Sequence, residues 1–265
     1  MSRVFSLAVA VLALGASSAS GSSAAAAAPP ATPIAVALGL GHPLLQAGVV
    51  RGRDVILARG FEVELARVLA RRLGTRVDRF AYVPSTRRLL ASGTSSWQLA
   101  VAGIERASGT GARLSASYLT TDVAVVARRG MERPRRLADL RSDVGCATRG
   151  SAGATVLSSL RLRTTPVVVA GHNRLRDLLR TGACDVALVP AFEVGRFVAG
   201  HQALLGPVVG RIRHGDGLGV LVRTGAGQDV GTVNAALAQL RRDGTLGRLA
   251  RGWLGLDPAT LPRLR

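Results

Sequence analysis

Residues 60–77, GFEVELARVLARRLGTRV, restrict the fold most. Val63, Ala66, Leu69 and Leu73 recur at helical spacing, with Leu65 and Val68 widening the apolar face. Glu62 and Glu64 stand in the first turn, and Arg67, Arg71 and Arg72 follow toward the end. That order suits the helix dipole, and Gly74 is a helix stop. The flanks are short apolar runs, IAVALGL (Ile34 to Leu40) and VDRFAYV. STRRLLASG reads as a second short helix, and WQLAVAGI (Trp97 to Ile104) as a third strand. Strand and helix in alternation predict a parallel sheet covered by helices, an α/β fold. Ligands of such sheets bind at the carboxyl ends of the strands. Here those ends are GLGHPLL, YVPS and AGIER.

After YLTTDVAVVARR the pattern restarts. ERPRRLADLRS is a short helix, DVGCATRG a strand end, SAGATVLSSLRL a helix and TTPVVVAG a strand. HNRLRDLLRTG is a helix ending at Gly182, and CDVALVP is a strand that stops at Pro190, followed by Phe192 and Glu193. RIRHGDGLGVLVRTG is again strand-like. The last stretch is helical through Val230, Val233, Leu237 and Leu240, then Leu246, Leu249 and Trp253 after a break at Gly244. Two α/β sets separated by long apolar segments predict a chain that crosses twice between two lobes, the wiring of hinge-bending proteins. A length of 265 residues accommodates two lobes.

The N-terminus has the order of an export signal: Arg3, an apolar run from Val4 to Leu14, then small residues. That run is too short to span a bilayer, which takes about 20 residues. Ser17 to Thr32, nearly all Ala, Ser, Gly and Pro, reads as a flexible spacer. No Cys follows the apolar run, so no lipid-attachment site is seen. The expectation is an exported protein, periplasmic or extracellular. Cys146 and Cys184 are an even pair, which in an oxidising compartment becomes a disulfide; two buried free thiols are the alternative. His42, His172, His201 and His214 show no metal-ligand spacing to them, and no metal or cofactor is expected.

All 35 basic residues are Arg, and the formal net charge is +19. The arginines are scattered, no nucleic-acid motif accompanies them, and aromatics make up 3% of the chain. That is too few for stacking platforms, so a nucleic-acid partner is not expected. The charge reads as a solvated basic surface, with loose attraction to anionic envelope surfaces left open.

In order and spacing, several segments resemble the extracellular solute-binding proteins of family 3, the polar amino acid receptors of ABC importers. They are GFEVELARVLARRLG, LLASGTSSWQLAVAGI, RRLADLRSDVGCATRGSAGA, LLRTGACDVALV and ALAQLRRDGTLGRLARGWLG. The resemblance covers about residues 33–255. It implies a two-lobe, type II periplasmic-binding-protein-like fold with two hinge strands and a ligand cleft between the lobes. Lobe 1 is expected at about 33–118 plus 220–258, lobe 2 at about 123–216, with 259–265 as a tail. It also implies a monomer whose partners are a small solute and a membrane permease.

Carried over residue by residue, the resemblance puts Leu45 where an aromatic usually packs on the solute. Gly103 supplies a backbone carbonyl, and Arg106 is the near match to the carboxylate-binding Arg. Thr148, Arg149, Gly150 and Ser151 lead into a helix N-terminus suited to an anion. Pro190 stands where the family has the Asp that anchors the solute's ammonium. Glu193 or Glu105 is the candidate for a displaced acid, and His42 lies in a cleft-facing turn. Three functions are weighed: an exported solute receptor for an ABC importer, a degenerate sensor or envelope protein that has lost its ligand, and a periplasmic cyclohexadienyl-type dehydratase. No Ser-His-Asp order, metal spacing or phosphate loop argues for other catalysis.

Overall fold

The computed structural model describes residues 32–91, 96–106, 113–223, 227 and 229–265. The expected leader and nearly all of the expected spacer lie outside the described residues, as does part of the segment after Arg106.

The chain folds into two mixed sheets. The first holds β1 (Ile34–Leu38), β2 (Ala47–Arg51), β3 (Asp54–Arg59), β4 (Val77–Tyr82), β5 (Leu99–Ala100) and β11 (Leu221–Val222), in the order β11-β5-β1-β4-β3-β2. The second holds β6 (Val123–Ala127), β7 (Gly145–Thr148), β8 (Val167–Val169), β9 (Val186–Pro190) and β10 (Val208–Ile212), in the order β10-β6-β9-β7-β8. In each, three strands run parallel: β5, β1 and β4 in the first, β9, β7 and β8 in the second. The helices α1 (Phe61–Arg72), α2 (Thr86–Ala91), α3 (Ala152–Ser159), α4 (His172–Thr181), α5 (Ala191–Val198), α6 (Val230–Arg242) and α7 (Thr245–Leu254) complete the α/β architecture.

Strand composition explains this layering. β1 is buried on both faces. Ile34, Val36 and Leu38 enter the large core with α1, α6 and α7, while Ala35 and Ala37 face a smaller core with Leu89, Trp97 and Ile104. β6 and β9 divide their side chains in the same way. Ala124, Val126, Ala187 and Val189 pack with α4 and α5; Val123, Val125, Val186 and Leu188 pack with α3. Strands covered on both faces are continuous apolar runs, as a helix-covered sheet requires.

Two crossing segments join the sheets, at about 114–122 and 213–220. They pair with each other: Leu218 N–H donates to Leu119 O at 2.8 Å, and Tyr118 N–H to Leu218 O at 2.8 Å. Asp122 is buried at the crossing, 3% exposed. It is ion-paired to Arg211 and accepts from His214 N–H at 3.1 Å. Thr121 Oγ1 donates to His214 O at 2.6 Å. Neither acid nor base of this pair stood out in the sequence.

Three features differ from the sequence expectation. The chain forms a hairpin, β2–β3, before α1. After Pro190 it enters α5 directly, without a turn. Residues 259–265, expected as a tail, run beside the second sheet: Leu264 N–H donates to Arg211 O at 3.0 Å, and the Leu264 side chain is 6% exposed in that sheet's core. The C-terminal segment therefore returns to the second sheet after α6 and α7 have packed on the first. α7 also touches α5, where a Cβ on Gly195 would lie 2.2 Å from Leu254 O, so only glycine fits.

Cys146 and Cys184 form a disulfide with a Cα–Cα distance of 6.1 Å, and both are buried. It staples β7 to a residue two before the start of β9, across a sequence separation of 38. In the chain-entropy account such a link contributes about 3–4 kcal/mol. The double variant Cys146→Ser/Cys184→Ser is expected to lose that amount in denaturant unfolding, with the midpoint lowered. Asp122→Ala, which strands the Arg211 guanidinium in a mostly buried place, is expected to cost about 3–5 kcal/mol.

Candidate functional site

The carboxyl ends of the parallel strands in both sheets supply the site. From the first sheet come the turn after β1, Gly39 to Gln46, and the residues after β5, Ala102 to Arg106. From the second come Arg149 to Ser151 after β7, His172 after β8, and Phe192 and Glu193 after β9.

At the centre is Glu193, in the first turn of α5, with its side chain 15% exposed. His42 Nε2 lies 3.2 Å from Glu193 Oε1, and His172 Nε2 lies 3.1 Å from Oε2. His42 Nδ1 accepts from Leu44 N–H at 3.3 Å, which leaves the ring proton on Nε2 to donate to Glu193. His42 also meets Phe192 edge to face, ring centroids 5.0 Å apart, and Phe192 packs on the first sheet's core. His172 is held edge to face against Phe197 at 5.4 Å. One carboxylate thus takes hydrogen bonds from both sheets. Burial acts to raise the Glu193 carboxyl, but the bonds from His172 and His42 outweigh it and hold the group at about 2, against an ordinary 4.5.

A second polar cluster lies beneath the first sheet's side of the site. Glu62, in the first turn of α1, has a wholly buried carboxylate. It accepts from Gly103 N–H at 3.0 Å, from the Tyr118 hydroxyl and from Gln46 Nε2. Gln46 Nε2 also donates to Val101 O at 3.1 Å, and its Oε1 accepts from Gly39 and Leu40 N–H, both at 2.7 Å. Leu40 has φ 54°, a left-handed backbone that is costly for a bulky residue. The Gln46 bonds hold it there. Burial pushes the Glu62 carboxyl up against the pull of its three donors, and burial together with Glu62 pushes the Tyr118 hydroxyl well up. This network fixes the β1 turn, the Gly103 loop and the first crossing segment to one another.

The remaining sequence-predicted residues are placed as follows. Leu45, expected to face the solute, is 5% exposed and sits in the first core; the half-buried Leu44 is its outer neighbour. The apolar contact near the cleft comes instead from Phe192 across the gap. Gly103, with φ 62°, spends its N–H on Glu62. Glu105 and Arg106 are exposed and pair through the backbone with the second crossing segment, Arg106 N–H donating to Gly217 O at 2.9 Å. Thr148 is buried, whereas Arg149 and Gly150 are exposed. Ser151 caps α3: its hydroxyl accepts from Ala154 N–H at 3.2 Å and donates to Thr148 O at 2.8 Å. Pro190 is buried in β9, opposite Val123. The structure therefore brings His42, Phe192 and Glu193 together and leaves Glu105 and Arg106 apart from them at the crossing. His172, Glu62 and Gln46 were not singled out in the sequence. The position of His172 directly after a strand and Gly171 was the available signal.

The sequence matches the bacterial extracellular solute-binding proteins, family 3, over residues 57–256. The chain belongs to this family. Among solved structures it is similar to the L-cystine solute receptor of Neisseria gonorrhoeae in its unliganded open conformation, with a TM-score of 0.68 and 18% identity over 86% of this chain and 95% of that one. It is also similar to substrate-binding domain 2 of Lactococcus lactis GlnP in its open conformation, with a TM-score of 0.66 and 15% identity over 86% and 99%. A third similar structure is an ancestral amino acid-binding protein described as a precursor of cyclohexadienyl dehydratase, at 0.50 and 20% over 84% and 95%. No curated protein matches the chain. The fold is thus that of the type II periplasmic binding proteins: two lobes, two hinge strands and a cleft between them. No helix among the described residues is long and apolar enough to cross a membrane.

Because the Glu193 carboxyl is held low, its contribution to stability is present above about pH 4.5 and is lost as pH falls through about 2. Glu193→Gln is expected to be less stable than the parent chain by up to about 3 kcal/mol at mildly acidic pH. The two unfolding curves should converge near pH 2. Glu62→Ala, which removes the acceptor of the Tyr118 hydroxyl, the Gly103 N–H and one Gln46 N–H, is expected to cost about 3 kcal/mol or more in the same assay.

Proposed function

We propose that this chain is an exported solute-binding protein that captures a small polar solute, an amino acid or a related compound, for an ABC importer by lobe closure. Lobe 1 comprises about 33–118 plus 220–258, and lobe 2 about 123–216. The observation that carries the reading is the convergence of strand ends from both sheets on one cluster, His42, Phe192, Glu193 and His172. Closure around a solute requires groups on both sides that gain contacts in the closed form. The amino acid receptors among the similar structures support the solute class, and the extracellular family supports export.

The details argue for a modified amino acid or a related anion rather than a plain zwitterion. Pro190 offers no acid, and both Glu193 oxygens are engaged by imidazoles, so an incoming ammonium has no free carboxylate to meet. Arg149, Gly150 and Ser151, at the start of α3, are the groups proposed to meet an anionic end of the solute.

Two other readings are weighed against this one. A member that has lost its ligand is favoured by the bridge itself, in which the protein's own imidazoles take up both Glu193 oxygens. A dehydratase is favoured by the third similar structure. Dehydration needs a general acid that carries a proton near neutral pH, however, and Glu193 is held far too low for that. Glu105 is exposed at the crossing.

A thermal-shift screen of amino acids, their derivatives, sugars and small organic anions tests the proposal. A cognate solute at 100-fold its Kd is expected to raise Tm by about 5–10 °C. If no solute of any class shifts Tm, the receptor reading fails and the ligand-free reading stands. Turnover of a cyclohexadienyl substrate that Glu105→Gln and Glu193→Gln abolish would establish the enzyme reading instead.

A further inference from the structure

The β2–β3 hairpin has a surface unlike the rest of the chain. Five large apolar side chains are exposed among the described residues. Three of them are on this hairpin: Val49 at 53%, Val50 at 42% and Leu57 at 74%. The other two, Val168 on β8 and Leu204 before β10, stand apart in the chain. Interleaved with the three aliphatics are Arg51, Arg53 and Arg59, all exposed and without an ion-pair partner among the described residues. Asp54, the hairpin's one acid, is tied to Arg79 at 2.7 Å.

The hairpin is also loosely joined to its sheet. β2 is the edge strand, and β3 meets β4 only at Asp54 opposite Ala81, with Tyr82 N–H donating to Arg53 O at 2.8 Å. Beyond that point the strands part around a gap of about 430 Å³. Leu57 has φ 53°, a conformation strained for leucine, yet its side chain stays in water. Water alone gives no reason to hold a large aliphatic group there.

An edge hairpin whose exposed aliphatics, Val49, Val50 and Leu57, stand beside Arg51, Arg53 and Arg59 matches the boundary of a membrane. The aliphatics enter the acyl region and the arginines meet phosphate headgroups. The formal charge of +19 favours an extended anionic plane over a small acidic patch, because the whole molecule is drawn toward the plane. We propose that the β2–β3 hairpin docks this protein on an anionic lipid bilayer. This inference is independent of which solute, if any, the cleft holds.

The test is a hairpin-specific label in the full chain. Leu57→Cys is coupled to an environment-sensitive fluorophore, with Val168→Cys as the control position; Cys146 and Cys184 are joined and buried, so they do not compete. Vesicles containing phosphatidylglycerol are expected to shift the label at position 57 to the blue and shield it from aqueous iodide. Pure phosphatidylcholine vesicles should do neither, and the label at 168 should not respond. In the Arg51→Ser/Arg53→Ser/Arg59→Ser background, half-response should need about 100-fold more anionic lipid. A label at 57 that stays in water with anionic vesicles overturns the proposal. So do equal responses at 57 and 168, or a triple variant that behaves like its parent.

Discussion

Two sheets joined by two crossing strands have no backbone ladder across their open side, so whatever holds that side must come from side chains. In this protein the carboxylate of Glu193 does it, accepting from His42 on one side and His172 on the other. A half-buried carboxylate without partners would be costly. Here both oxygens are satisfied, and satisfying them requires the two lobes to be near one another. Phe192, one residue earlier, adds apolar contact with His42 and the first core at the same place. The hinge side is held differently, by the buried Asp122–Arg211 pair and by hydrogen bonds between the crossing segments. The geometry of the cleft follows from these two anchor points.

The bridge works only if its first-lobe end is rigid. His42 sits on a turn whose neighbours, Gly39 and Leu40, are fixed by Gln46, and Gln46 is fixed by Glu62. Glu62 also holds Gly103 and Tyr118, so the turn, the loop after β5 and the start of the first crossing move as one piece. In free-energy terms the buried carboxylate costs desolvation and returns it as three hydrogen bonds that fix the wall of the cleft. On the second lobe the disulfide performs a comparable role, tying β7 to Cys184, two residues before β9, beneath the strand ends that present Ser151 and Glu193.

Much of this was legible in the sequence. The apolar runs and amphipathic helices place most strands and helices, and α1 carries acids first and arginines last as its dipole favours. Gly182 ends α4 in the left-handed conformation, as a terminal glycine allows. The disulfide followed from an even pair of cysteines. What was not legible depends on tertiary contact. The segment after Pro190 was expected as a turn, and α5 takes its place because its apolar face packs on α7 and β9. The β2–β3 hairpin lacks a clean alternation because exposed aliphatics, Val49, Val50 and Leu57, stand where polar residues would mark a solvated face. Leu45 seemed a solute contact because it stands where the family has an aromatic, yet the turn places it in the core and leaves Phe192 to act from the other lobe. Glu193 was visible as a candidate, but its pairing with His172 joins residues from two different strand ends, which spacing in one chain cannot show.

The most direct test of this account is the distance between the lobes, read by a spectroscopic label pair with one label on each lobe, in the parent chain and in His42→Ala. The account predicts a short, narrow distance distribution in the solute-free parent. In His42→Ala the distribution should be longer and broader, with the disulfide kept and the loss of stability no larger than the about 3 kcal/mol that the Glu193 bonds contribute. Identical distributions in the two proteins would contradict it, because the histidine–carboxylate bridge would then not be what holds the open side of the cleft.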